Sequence, residues 1–399
     1  MKQRWFARVL RSPILPWSAQ FGDDLPSRDA SPGVQYRAMS LLRVTVLRAA
    51  VCATGALAAC NHDAPFATAT TGDTIPFSDG SPRRLTYNPY RDRAPAWLPP
   101  ETGFLYSAQL ATPADRCLAL MPPDGGQIMS ELCYPTPAPE STFILTAPAA
   151  AAAGPIAYVL RASGSIRGSA VRVSLLLRPA SFTATELPRT LVNYPVRLDT
   201  IREDEPDQLG WFDATRFAYL ATRVGYEGGF SADTVQTGAE IVVVDLASGS
   251  PALSVVPGTE NASGVAPLAS DRILYTLGGD SRVFARVLSS GMTSVAWDFG
   301  AGEIARDVRV NAGGTRLAAV VGGNVSYGFD AQLGYMVQRD SGGALHVVDL
   351  AAARDSILPD SLSGTHVLFR RPALAPSGKR VVAEAWTGSV SDLWMFDLP

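Results

Sequence analysis

The stretch RVVAEAWTGSVSDLWMFDL, residues 380–398, contains two short apolar segments with a Gly-Ser turn between them. Each segment is only about seven residues long and is rich in Val, Ala, Leu and aromatic side chains. Short apolar runs of this kind, bounded by turn residues, are typical of antiparallel β-strands. The stretch therefore predicts a pair of neighbouring strands, and the question is whether the pair recurs.

The same pair of segments occurs six times along the chain. The first strand of each pair starts near Gly103, Pro155, Arg216, Arg272, Arg316 and Arg380. The second strand starts near Cys117, Val171, Glu240, Arg282, Ala344 and Asp392. One such unit is too small to bury both faces of its sheet, so the units must pack side by side, and a closed ring leaves none exposed. The sequence predicts an all-β fold, a six-bladed β-propeller over residues 80–399.

The two ends of the predicted ring suggest how it closes. The sixth pair of strands ends next to Pro399, so the last unit lacks the outer strand that the others take from the following sequence. Residues 83–87 precede the first unit and can supply that strand. We expect them to pair with the C-terminal blade and to cover an edge that would otherwise favour aggregation.

Two segments, residues 82–109 and 370–398, resemble the WD-like repeat of TolB-type six-bladed β-propellers. In that repeat a Ser-Pro-Asp-Gly-like turn leads into an apolar strand, and a later strand ends in Asp. The resemblance spans roughly residues 80–399 and implies the six-bladed ring. The turns here read LPPETG, FDATR and APSGK instead of the full motif, and the α/β domain that precedes the propeller in TolB is lacking, so the resemblance does not imply a Tol-Pal role.

The segment MSLLRVTVLRAAVCATGALAAC, residues 39–60, has the three parts of a bacterial secretion signal. Arg43 and Arg48 form a basic region, and residues 49–59 form an apolar run that is too short to span a bilayer. Residues 57–60 resemble the lipobox of bacterial lipoproteins, which implies acylation at Cys60. We expect a lipid-anchored protein of the bacterial cell envelope.

This signal predicts the organisation of the N-terminal part. Met39 is expected to be the initiator, which makes residues 1–38 an upstream extension and residues 39–59 the signal peptide. Residues 60–79 are small, polar and without periodicity, as in a flexible tether. Asn61 is not the aspartate that retains some lipoproteins in the inner membrane, which favours the outer membrane over the inner membrane for this periplasmic or outer-membrane lipoprotein. The only expected membrane contact is the lipid anchor.

Two cysteines remain beyond the lipid-bearing one, Cys117 and Cys133. Each lies eight residues from Gly125, within a hairpin turn signal at residues 124–126. A hairpin centred there places the two thiols opposite each other. In an oxidising compartment we therefore expect a disulfide; the alternative is two buried free thiols.

The charge of the processed chain bears on its partners. The full sequence has 34 basic and 37 acidic side chains, and residues 1–59 hold 8 and 3 of them. The remainder therefore has 34 − 8 = 26 basic and 37 − 3 = 34 acidic groups, a formal net charge of −8. An acidic surface repels phosphate backbones, so no nucleic-acid partner is expected. We expect a monomer whose partner is a protein or another envelope component.

The residues that could carry enzyme chemistry are few. The processed chain has three histidines, His62, His346 and His366, too scattered for a metal-binding cluster, and it has no G-x-S-x-G motif. We therefore expect no catalytic residue, metal or cofactor, and favour a protein-binding or scaffold module. The alternative is a metal-dependent hydrolase of the lactonase kind, which needs only acidic and amide ligands in the central channel.

Two long connections within the repeat favour a recognition surface. They are residues 224–238 and 323–343, rich in glycine and aromatic residues. In a propeller such connections share a face with the outer-to-inner connection at residues 87–93. Aromatic side chains give a large contact area at a low cost in entropy. The predicted binding residues are Tyr87, Tyr90, Arg91, Tyr226, Phe230, Tyr327, Phe329 and Tyr335, with Arg93 and Glu227 among them; the alternative is that the rings only pack the loops.

Overall fold

β-strands form the regular structure of the part of the chain described by the computed structural model, which contains no helix. The described residues are 82–87, 91–109, 116–133, 142–152, 154–163, 172–178, 189–195, 202–226, 234–269, 271–323, 325–330, 335–340, 342–362, 365–387 and 390–399. Within these ranges no segment forms a helix that could cross a membrane.

The strands form six blades of four strands each. The blades are numbered in chain order, and the strands of each blade are given from the innermost to the outermost. Blade 1 contains β2 (Arg93–Leu98), β3 (Gly103–Gln109), β4 (Arg116–Met121) and β5 (Ser130–Leu132). Blade 2 contains β6 (Thr142–Ala150), β7 (Ile156–Ser163), β8 (Arg172–Arg178) and β9 (Arg189–Pro195). Blade 3 contains β10 (Arg202–Trp211), β11 (Arg216–Tyr226), β12 (Thr234–Asp245) and β13 (Ala252–Val255). A single parallel pairing, between Arg116 and Ile144, joins blades 1 and 2.

The second half of the chain continues the same pattern. Blade 4 contains β14 (Ala262–Leu268), β15 (Arg272–Leu277), β16 (Arg282–Val287) and β17 (Thr293–Asp298). Blade 5 contains β18 (Ala305–Val310), β19 (Arg316–Val321), β22 (Ala344–Asp349) and β23 (Arg354–Ile357). Blade 6 contains β26 (Leu368–Leu374), β27 (Arg380–Trp386) and β28 (Ser391–Asp397), to which β1 (Arg83–Arg84) is added. Two small hairpins complete the set, β20 (Val325–Asp330) with β21 (Tyr335–Asp340), and β24 (Ser361–Leu362) with β25 (Thr365–His366).

The predicted all-β six-bladed propeller is confirmed. The two predicted series of strands are the second and third strands of the blades, and the first series starts within one residue of the predicted positions. The inner strands were not predicted, because their sequences mix small, polar and charged residues with proline.

Six apolar clusters among the described residues hold the blades together, one at each contact between successive blades. The cluster that contains Phe104 of blade 1 and Met395 of blade 6 closes the ring. Both side chains are fully buried. Because every blade packs on two neighbours, both faces of each small sheet are covered, which is what the sequence argument required.

The hairpin between β4 and β5 confirms the predicted disulfide. Leu118 pairs with Leu132 and Leu120 with Ser130, which sets Cys117 opposite Cys133. The two cysteines form a disulfide with their Cα atoms 4.6 Å apart. Gly125, the predicted centre of the hairpin, has a φ of 83°, a left-handed conformation that favours glycine.

The short strand β1 pairs antiparallel with β28, with Arg83 opposite Met395 and Arg84 opposite Trp394. The Arg84 guanidinium lies 2.9 Å from the Asp392 carboxylate, whose side chain is 5% exposed. Burial raises the pKa of Asp392 to about 6, although Arg84 and a hydrogen bond with Thr86 both act to lower it. This carboxyl group therefore titrates within the range in which most proteins are stable.

The raised pKa of Asp392 predicts that the free energy of unfolding increases as the pH falls from 7 to 5. The folded state binds the Asp392 proton near pH 6, whereas the unfolded chain binds it only near 3.8. Stability from this proton is therefore complete at low pH and is lost as the pH rises through 6. The free energy of unfolding should rise by about 1–2 kcal/mol between pH 7 and 5 from this group alone.

Urea denaturation at pH 7, 6 and 5 measures this effect. The Asp392→Asn variant should lack the rise, because it has no proton to bind. Asp298→Asn is the matched control, since hydrogen bonds from Gly300 and Ser281 lower the pKa of this exposed carboxyl, and it should keep the wild-type slope. Parallel pH dependences for the wild type and Asp392→Asn would contradict the assignment.

Candidate functional site

The inner strand of every blade contains an irregularity in its pairing with the second strand. In five of the six blades a non-glycine residue at this point has a positive φ, between 41° and 53°. A bulge of this kind bends the strand and re-aims its side chains. The residues concerned are Ala94, Ala147, Gln208, Asp307 and Arg371.

Polar bulge residues from three blades meet in the central channel. The Arg371 Nη2 atom lies 3.1 Å from Asp207 Oδ2, and this ion pair joins blade 6 to blade 3. Gln208 Nε2 donates to Asp307 Oδ1 at 2.6 Å, which joins blade 3 to blade 5. The backbone N–H of Arg371 donates to Asp307 Oδ2 at 3.1 Å. Because blades 3 and 6 are opposite each other in a ring of six, the Asp207–Arg371 pair crosses the channel.

A third carboxylate, that of Glu384, is buried among arginines. Glu384 has no exposed surface, and three guanidinium nitrogens lie near its carboxylate: Arg93 Nε at 3.6 Å, Arg370 Nη1 at 3.8 Å and Arg371 Nη1 at 3.5 Å. The Arg370 guanidinium also stacks on the Trp386 ring, 3.9 Å from its centroid. Arg93, expected from the sequence on the aromatic rim, is instead the first residue of β2 and contacts Glu384, because the inner strand starts there.

The long connections form a second candidate surface, which we call the hairpin face. It consists of the β11–β12 connection and the β20–β21 hairpin. Neighbouring strands of a blade are antiparallel, so connections from second to third strands lie on the same side of the ring as connections from outer to inner strands. Cα atoms of β12 and β20 approach within 8 Å. A strand of blade 3 therefore lies close to the hairpin that blade 5 inserts, although blade 4 separates the two blades in the ring.

The predicted binding residues have different positions. Tyr226 is the last residue of β11, Tyr327 and Phe329 lie in β20, and Tyr335 is the first residue of β21. All four strand positions belong to the two long connections. Tyr90, Phe230 and Glu227, like the lipidation residue Cys60, lie outside the described residues. The binding role of these residues stays a prediction.

The remaining two predicted binding residues lie between β1 and β2. The Tyr87 hydroxyl donates to the Arg84 carbonyl at 2.9 Å, and the Arg84 guanidinium lies over the Tyr87 ring, 4.6 Å from its centroid. Tyr87 thus packs on its own segment, as the alternative reading of the aromatic residues anticipated. Arg91 is exposed and forms a parallel bridge with Ser391.

The histidines of the propeller are paired with carboxylates. His346 Nδ1 lies 2.8 Å from Asp355 Oδ2, and His366, which is 76% exposed, lies 3.5 Å from Asp360. Within the described ranges, no group of three or more His, Cys, Asp or Glu residues has an arrangement that could hold a metal ion.

The channel network was missed from the sequence, although a signal for the bulges is present. The tetrapeptides RAPA, TAPA and RRPA begin at residues 93, 146 and 370 and occupy the same place in blades 1, 2 and 6. In each, the second residue has the positive φ. Pro-Ala pairs also begin at residues 113, 137, 179 and 251, so the pair alone does not single out these three inner strands.

No family model and no curated protein matches the sequence. Among solved structures, the chain is similar to TolB from Acinetobacter baumannii, with 14% identity, 77% of this chain and 63% of that chain covered, and a TM-score of 0.41. It is also similar to a putative TolB from Agrobacterium tumefaciens, with 13% identity, coverage of 79% and 94%, and a TM-score of 0.45. An oligogalacturonate lyase in complex with manganese has 12% identity, coverage of 80% and 93%, and a TM-score of 0.42.

These likenesses concern the fold alone. This chain spans less than two thirds of the Acinetobacter TolB chain. The assignment as a six-bladed propeller rests on the strand order of the six blades and on the apolar clusters between them.

Three arginines, Arg93, Arg370 and Arg371, surround the buried carboxylate of Glu384 and form an arginine shell. This arrangement predicts that the negative charge of Glu384 is essential for stability. Glu384→Gln should lower the free energy of unfolding by about 3–5 kcal/mol, because it leaves the nearby guanidinium groups without their buried counter-charge. Glu303→Gln is the matched control, since Glu303 is exposed, and it should change stability by less than about 0.5 kcal/mol. Chemical denaturation measures both. A loss below about 1 kcal/mol for Glu384→Gln would show that the shell does not depend on this carboxylate.

Proposed function

We propose that this protein is a lipid-anchored, extracytoplasmic β-propeller that acts as a protein-binding or scaffold module in the bacterial cell envelope. Its partner, a protein or another envelope component, binds at the hairpin face. The observation that carries this proposal is the approach of β12 in blade 3 to β20 in the hairpin of blade 5, which supports a shared surface formed by the long connections of these two blades.

The length of these connections supports a recognition role. Blade 4 joins its second and third strands through residues 278–281, and blade 6 does so through residues 387–390. Blade 3 instead extends β11 and β12 to 11 and 12 residues, and blade 5 inserts the β20–β21 hairpin, so both blades have chain beyond what closure of the ring needs. Long connections in a compact fold are commonly functional. The channel is also crossed by the Asp207–Arg371 pair, which favours a partner on the surface over one deep in the channel.

The anchor and the ring closure use neighbouring segments. The lipobox-like residues 57–60 support acylation of Cys60, and residues 60–79 are proposed as the tether. The pairing of β1 with β28 and the ion pair between Arg84 and Asp392 support closure of the ring by the N-terminal strand. In this arrangement the lipid-bearing segment leads directly into the strand that completes blade 6.

Shortening residues 226–237 and 325–341 to tight turns should abolish most partner capture while leaving the melting temperature nearly unchanged. The connections add binding surface but little apolar core, so the six clusters between blades remain. Capture is measured by pull-down from native membranes with the intact lipoprotein, followed by quantification of the retained proteins.

The control for this experiment is a change on the opposite face. Met292 is 71% exposed and lies in the turn from the third to the fourth strand of blade 4, so Met292→Ser should capture the partner like the wild type. Full capture by the shortened variant would contradict binding at the hairpin face. It would favour the alternative function, a hydrolase of the lactonase kind with its site in the channel.

The lipid anchor makes a separate prediction. Wild-type protein should fractionate with membranes and begin at residue 60, because several acyl chains, each contributing about 0.8 kcal/mol per buried CH₂, hold a protein stably in a bilayer. Cys60→Ser should remain uncleaved, while Cys52→Ser should be processed normally. Mass spectrometry of the N-terminal peptide measures both, and a mature N-terminus at any other residue would exclude the anchor.

A further inference from the structure

Arg309 is the channel arginine that no carboxylate neutralises directly. Its Nη1 atom donates to the carbonyls of Val265 and Val308, each at 2.9 Å, and to Gln208 Oε1 at 3.2 Å. All three acceptors are neutral. Among the described residues, no carboxylate lies within ion-pair distance of the Arg309 guanidinium. The neighbouring Arg371, by contrast, contacts both Asp207 and Glu384.

These three neutral contacts fix the guanidinium group through its Nη1 atom. With Nη1 fixed by acceptors from blades 3, 4 and 5, the group cannot rotate away. The edge formed by Nε–H and Nη2–H has no hydrogen-bond acceptor in the described part of the chain, and neither nitrogen is a buried unpaired atom. Two parallel N–H groups of this kind match the two oxygens of a carboxylate.

The two carboxylates that act electrostatically on Arg309, Asp207 and Asp307, are already engaged elsewhere. Asp207 pairs with Arg371, and Asp307 accepts hydrogen bonds from Gln208 and from the Arg371 N–H. The open edge of Arg309 is therefore left for an external anion. Burial lowers the pKa of Arg309 and repulsion from Arg371 lowers it further, whereas Asp307 and Asp207 act to raise it.

The open edge of Arg309 is accessible to solvent, and a carboxylate that replaces this water forms two charge-assisted hydrogen bonds to a donor pair that is already fixed in place. Arg309 lies near the C-terminal end of β18, so it is closer to the face of the ring opposite the long connections. The site is therefore separate from the hairpin face.

We propose that Arg309 binds the carboxylate group of a small organic anion in the central channel, towards the end opposite the hairpin face. The Nε–Nη2 edge donates two hydrogen bonds to the carboxylate. The site extends beyond the proposed binding of a protein partner and does not depend on it.

Acetate is the probe, compared with chloride at equal ionic strength on the full-length protein. The melting temperature should rise in a saturable manner with acetate, by about 2 °C at ten times the dissociation constant. Saturation-transfer NMR on the acetate methyl group should report bound acetate. Phosphate also stabilises folded proteins non-specifically, so only the part of each rise that is lost in Arg309→Gln is compared. This part should be smaller for phosphate than for acetate, and a larger Arg309-dependent rise with phosphate would overturn the assignment to a carboxylate.

Three variants locate the site. Arg309→Gln should abolish the acetate response, and Arg309→Lys, which keeps the charge but lacks the two-pronged edge, should weaken acetate binding about tenfold. Arg272→Gln is the matched control, because Arg272 is an exposed arginine at the start of β15, and it should respond like the wild type. Equal acetate responses in the wild type and Arg309→Lys would overturn the proposal, and this comparison decides the matter if Arg309→Gln does not fold.

Discussion

A blade of four short strands has two apolar faces and cannot cover either by itself, and the whole structure depends on this constraint. Each face packs against the neighbouring blade, so the apolar clusters lie between blades and not within them. The apolar faces of blades 1 and 6 are covered only when the sixth blade returns to the first. Phe104 and Met395 show the result, because residues almost 300 positions apart share one buried cluster.

A second constraint is that six inner strands converge at the axis of the ring. A bulge bends each of these strands, and the bulges turn polar side chains of Gln208, Asp307 and Arg371 into the channel. Such groups are costly to bury unless they pair. Pairing across the channel satisfies them and joins opposite blades, so the polar centre supplements the apolar clusters. Arginine suits this role because its planar fork reaches several acceptors at once, as Arg371 does with Asp207 and Glu384.

The two faces of the ring differ in what they offer a partner. The face with the long connections presents extra chain from blades 3 and 5, a geometry suited to another macromolecule. The other end of the channel presents the edge of Arg309, whose size and charge suit a small anion. The antiparallel order of strands within each blade separates the two, because successive connections alternate between the faces.

Much of the fold follows from local sequence. The alternation of apolar strands with turns in residues 380–398 and its five counterparts predicts the number of blades and the position of their second and third strands. The spacing of Cys117 and Cys133 about Gly125 likewise predicts the disulfide. These predictions succeed because strand period and turn chemistry are properties of neighbouring residues.

The tertiary structure alone decided the channel. Gln208 and Asp307 are 99 residues apart, and Asp207 and Arg371 are 164 residues apart, so no local pattern predicts their contacts. Arg93 illustrates the difference: by sequence it belongs to a loop with aromatic neighbours, whereas in the fold it contacts a buried glutamate. The sequence by itself determined the second and third strands of each blade and how many blades they build. Which polar side chains face one another was determined by closure of the ring, because only closure brings the inner strands of opposite blades within hydrogen-bonding distance.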